Sequence, residues 1–131
     1  MMAKKAKLNL DDHGTELLRY FSGRYRCLVS RRSTGEVLTK TLSEDWRPTH
    51  KVKRVAGLSD EEYLAAVRLA SHELELTLKS WQINATLPSL ATVKKWIVGE
   101  GDVKSPTGHT VDPDGAGPDG VPSWLVLLGM I

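Results

Sequence analysis

The chain has 131 residues, 40% apolar and 26% charged, proportions that suit one soluble globular domain with a core of its own. A lone Cys27 excludes an intrachain disulfide scaffold and favours a reducing compartment, and no apolar run approaches the roughly 20 residues that span a bilayer. Net charge is +2, yet residues 1–54 hold 13 Lys and Arg against 6 Asp and Glu, while residues 55–131 hold 5 against 10. A basic half thus precedes an acidic half, as in proteins that contact nucleic acid or whose two halves neutralise each other.

The basic tail over 1–9 lacks the apolar stretch that makes a signal peptide, so a cytoplasmic protein is expected. Asp11 or Asp12 is placed to cap a short helix with Leu17, Leu18 and Phe21 on one side and Gly23 at its end. From Arg24 to Arg31 the apolar residues alternate, with Tyr25, Cys27 and Val29 on an inward face, and Val37 to Leu42 repeats the pattern. Gly35 lies in the loop between them, which makes this a β-hairpin. Ser43 to His50 reads as a loop, and Lys51 to Val55 as a third, short strand.

Ser59, Asp60, Glu61 and Glu62 form a capping box that opens a long helix. Tyr63, Val67, Ala70, Leu74, Leu78 and Trp81 give it one apolar stripe. A second helix starts near Pro88 and carries Leu90, Val93 and Ile97 to Gly99. From Gly99 to Ser123 glycine and proline dominate, and the chain closes with an apolar segment, Val121 to Ile131, too costly to leave in water. The expected fold is α+β: a single domain over 1–98 with the basic hairpin packed on the long helix, and an extended arm over 99–131.

Residues 87–97, Leu-Pro-Ser-Leu-Ala-Thr-Val-Lys-Lys-Trp-Ile, resemble the recognition helix of small phage and bacterial helix-turn-helix proteins. That resemblance implies that Ser89 and Thr92 meet phosphates or base edges, Lys94 and Lys95 add charge, and Val93 and Ile97 face the core. It also suggests a phage or mobile-element origin. The helix before it is longer, and its connection less tight, than that motif has.

The hairpin offers a second route to nucleic acid. Arg24, Arg26, Arg31, Arg32 and Lys40 lie on or beside a two-stranded ribbon, Lys53 and Arg54 follow, and Tyr20, Phe21, Tyr25 and Trp46 are aromatic neighbours able to stack on bases. Tyr25 is assigned to packing by its strand parity.

Catalytic signatures are weak. His13, His50, His72 and His109 fall on separate elements, and His72 lacks the second histidine of a zinc helix. Cys27 on an apolar strand face reads as an inert buried thiol. Asp112, Asp114 and Asp119 sit among glycines without the ligand spacing of a calcium loop and suit consecutive tight turns. A hydrolase using Asp112, Asp114 or His109 with a metal is the least favoured class.

The sequence therefore points to a non-enzymatic nucleic-acid-binding protein with no cofactor, metal or small-molecule substrate. The alternative is a protein-interaction or assembly module, such as a virion or accessory protein or an inhibitor of a host protein. Trp124, Leu125, Leu127, Leu128 and Ile131 would then anchor it on a partner or on a second copy.

Overall fold

The computed structural model describes residues 8–131, so most of the basic tail lies outside the described residues. Its centre is a four-stranded antiparallel sheet in the order β1-β2-β3-β4: Glu16–Ser22, Cys27–Arg32, Glu36–Lys40 and Arg47–Lys51. Three helices complete the α+β fold: α1, Asp60–Thr77; α2, Leu90–Ile97; and α3, Trp124–Leu127.

The expected N-terminal helix is strand β1 instead. A single 3-10 turn, Leu10–His13, precedes it, and its cap is Asn9, whose side chain accepts from the Asp11 amide at 3.1 Å. Register slips between Glu16 and Leu18, and both faces of β1 are covered. Leu18 and Phe21 are therefore both buried although they point to opposite sides, a spacing that imitates a helical stripe.

The hairpin is β2 and β3, paired from Leu28 with Lys40 to Arg31 with Val37, and β3 ends before the expected Leu42. The third strand lies earlier than its sequence suggests, at Arg47–Lys51, where a loop was expected. All five of its residues are exposed, so no apolar alternation marks it. As an edge strand bonded on one side only, it accommodates Pro48, opposite Leu38 at a register shift.

Helix α1 begins with the capping box: the Ser59 hydroxyl accepts from the Glu62 amide and the Glu62 carboxylate from the Ser59 amide, each at 3.1 Å. It buries Tyr63, Val67 and Ser71 over the sheet face that carries Cys27, Val29, Arg31 and Val37. The Arg31 guanidinium donates to the Ser71 hydroxyl at 3.3 Å across that contact.

The stripe expected to run on to Trp81 stops at Thr77 because the chain leaves α1 and wraps the outer edge of β1. Phe21 N–H donates to the Gln82 carbonyl at 2.9 Å and Asn84 N–H to the Arg19 carbonyl at 2.8 Å. This detour closes one edge of the sheet and carries the chain to the opposite face. There Trp81 stands 6.3 Å from Phe21, ring centre to ring centre.

On that second face lies the larger core, in which Phe21, Leu28, Val93, Trp96, Val103, Trp124, Leu125 and Leu128 pack together. Trp124 meets Phe21 edge to face at 5.1 Å. The segment expected to extend as an arm folds back onto the sheet. Two tight excursions, bridged at Lys104 with Thr110 and at Ala116 with Pro122, return the chain to Ser123. Ser123 caps α3 by accepting from the Val126 amide at 3.1 Å. Among the described residues no helix is long and apolar enough to cross a membrane.

Candidate nucleic-acid interface

The cationic side chains singled out by sequence fall into three groups. Arg24 and Arg26 occupy the tip of the β1–β2 hairpin and are exposed. Lys53 and Arg54 follow β4 at the other end of the sheet. Lys94 and Lys95 stand exposed on the last turn of α2, where positive charge also offsets the helix dipole.

Arg32 does not belong to any contact surface. It is 4% exposed, and its guanidinium donates to the Leu10 carbonyl at 2.9 Å, to the Gly14 carbonyl, to the Ser30 hydroxyl at 3.2 Å and to the Glu16 carboxylate at 3.4 Å. A fork of five donors satisfies this set as no lysine could. Arg32 thus ties the N-terminal turn to the sheet. Arg31 is half-buried under α1, and Lys40 lies 4.0 Å from Asp45.

To Lys53 and Arg54 the structure adds Arg47 and Lys51. Strand β4 and its continuation, residues 47–54, hold these four and His50 with no Asp or Glu. Arg47 pairs with Glu44 at 3.0 Å, and Arg54 with Asp60 at 2.7 Å. Among the described residues neither Lys51 nor Lys53 has a carboxylate within 4.0 Å. A cleft of about 630 Å³ opens beside them, lined by Thr34, Lys51, Val52, Lys53, Arg54, Asp60, Tyr63 and Leu64. The local excess of Lys and Arg is readable in the sequence, but the absence of apolar alternation hides the strand that gathers it.

Of the aromatic candidates, Phe21 is fully buried, Tyr20 packs against the Cys27–Val29–Val37 cluster, and Trp46 is part-buried with the Arg19 guanidinium 4.9 Å above its ring. Tyr25, assigned to the core by alternation, is 68% exposed. The reason is local: the four residues 23–26 form the loop between paired Ser22 and Cys27, so strand parity stops before reaching Tyr25. Arg24 stacks over its ring at 5.2 Å.

Helix α2 does not sit in a helix-turn-helix. It packs on the sheet face opposite α1, with the β1 edge between them. Ser89 caps it, accepting from the Thr92 amide at 3.1 Å and donating to the Thr92 hydroxyl at 2.8 Å. Its inward residues are Val93 and Trp96, whereas Ile97, expected to face the core, is 53% exposed.

The proposed apolar anchors are largely internal: Trp124, Leu125 and Leu128 belong to the core and Leu127 packs partly against it, while Ile131 is exposed. Cys27 is buried, and that burial pushes its thiol pKa up, away from the thiolate a nucleophile needs.

Asp119 is committed to turn structure. It accepts from the Thr107 hydroxyl at 2.6 Å and the Val121 amide at 3.1 Å. These bonds, the hydroxyl first, hold its carboxyl below the usual range, with His109 at 3.7 Å adding a smaller effect. Among the described residues no three His, Cys, Asp or Glu side chains come together as a metal site. No protein-family model, curated protein or solved structure matches the chain.

Proposed function

We propose that this chain binds nucleic acid without acting on it chemically, through the exposed surface of residues 47–54 together with the hairpin tip. One observation carries the reading: four Lys and Arg, and no carboxylate, within the eight residues 47–54, which comprise the wholly exposed strand β4 and the three residues that follow it. Lys51 and Lys53 are free to neutralise phosphates and release counterions, the dominant source of affinity for a polyanion. Arg24 and Arg26 add a second pair of contacts at the far end of the sheet.

A titration against nucleic acid at a series of salt concentrations tests this. Affinity is expected to fall steeply with salt, and Lys51→Glu with Lys53→Glu to weaken binding to all sequences alike, each lowering the salt slope by about one. Arg32→Lys is expected to leave the slope unchanged. Absent or salt-insensitive binding would overturn the proposal.

A further inference from the structure

Resting on the nucleic-acid reading, we infer that the ligand is single-stranded and that one unpaired base stacks on Tyr25. Of the eight aromatic side chains in the chain, the other seven are buried or part-buried. Tyr25 is 68% exposed and belongs to neither hydrophobic cluster. The fold holds it outward. Its amide donates to the Ser22 hydroxyl at 3.3 Å, and Arg26 closes the loop with φ 54°, a left-handed conformation that L-residues other than glycine adopt at a cost.

The neighbours of the ring select the ligand. Arg24 lies over it at 5.2 Å, and Arg26, next in the chain and exposed, rests its guanidinium against Gly129. Among the described residues neither arginine has a carboxylate within 4.0 Å. Two guanidinium groups repel a cationic guest and attract phosphates. An aromatic plane flanked by phosphate-binding groups is how proteins hold a strand whose bases are free to stack. In a duplex the base faces already stack on each other, and the grooves offer only edges and phosphates. Tyr25 gains from a flat stack only where a base is unpaired.

The tip and the Lys51–Arg54 end of the basic segment lie at opposite ends of the sheet, whereas Arg47, paired with Thr39, lies toward the tip. Along the strands the tip and Lys51 are about 20 Å apart, the length of a six-residue strand. A single strand, being flexible, can touch both.

The test compares binding of the full chain to a labelled mixed-sequence DNA strand, the same strand as RNA, and the corresponding DNA duplex. Wild type is set beside Tyr25→Phe, Tyr25→Leu and Arg24→Gln with Arg26→Gln. The single strands are expected to bind more tightly than the duplex. Tyr25→Leu should weaken single-strand binding roughly tenfold and leave the duplex unchanged, as loss of one stacked base requires, while Tyr25→Phe retains it. If Tyr25→Leu affects strand and duplex equally, or neither, while the arginine variants still weaken binding, the stacking inference is wrong and the nucleic-acid reading stands. Binding of none of the three probes would remove both.

Discussion

The phenol ring of Tyr63 lies against the Cα of Gly35, so close that a β-carbon on Gly35 would overlap the Tyr63 oxygen. The same hydroxyl donates to the Val52 carbonyl at 2.5 Å. One contact therefore joins the β2–β3 turn, the start of α1 and the floor of the basic cleft. Gly35 also adopts φ 90°, which disfavours any side chain there. Gly35→Ala is expected to cost about 2–4 kcal/mol, from overpacking and the left-handed backbone together. In a Tyr63→Phe background the same change should cost less, because the nearest atom is gone. Denaturant titrations of the four proteins of that cycle check it, and strict additivity would show that the two residues are not coupled.

The C-terminal segment is part of the core. Leu125 is 1% exposed and Ile131 61%. Leu125→Ala should destabilise the chain by about 2–5 kcal/mol and Ile131→Ala by less than about 0.5 kcal/mol. Deleting residues 121–131 should leave an unfolded or partly folded chain in circular dichroism. A truncated chain that retains a cooperative native transition would show that these residues are dispensable to the core.

Arg32 should act on stability and not on binding. Arg32→Ala removes a donor from the Leu10 and Gly14 carbonyls and the longest of the three bonds to the Glu16 carboxylate, which keeps Arg19 and Ser30, a loss of about 1–3 kcal/mol for each acceptor left unsatisfied. Arg32→Lys restores the charge but not the fork, so thermal melts should place it between the wild type and the alanine variant.

Glu62 and Asp119 confer an acid-side dependence. The Ser59 amide, then the Ser59 hydroxyl, lower the Glu62 pKa, and the Thr107 hydroxyl does so for Asp119. A carboxyl whose folded pKa lies below its unfolded value stabilises the fold above the unfolded value. That contribution disappears as pH falls through the folded one. At neutral pH Glu62→Gln and Asp119→Asn should be less stable than wild type, and the gap should close on acidification below the ordinary carboxylate range, near pH 4. Melting curves across that range, with a gap that persists at the acid end, would argue against the charged form as the stabilising one.

Features whose cause is local are legible along the chain. The capping box at Ser59 needs only hydrogen bonds within one turn. The hairpin around Gly35 needs alternation and one positive φ, and the start of α2 needs Ser89 as a cap. The uneven charge, with its excess before residue 55, was equally plain. The rest depends on contacts between distant residues. Leu17, Leu18 and Phe21 read as a helical stripe because a strand covered on both faces has no single apolar side. Arg47–Lys51 showed no strand pattern because an exposed edge buries neither face. Tyr25 looked internal because parity says nothing about where a strand ends and its loop begins. Arg32 looked like a surface cation until the carbonyls of Leu10 and Gly14, far off in sequence, were brought to it. The closing apolar residues had to be buried somewhere, as transfer energy alone requires. That they are buried against Phe21 and Leu28 follows from the detour around β1, and such a path depends on contacts between residues distant along the chain.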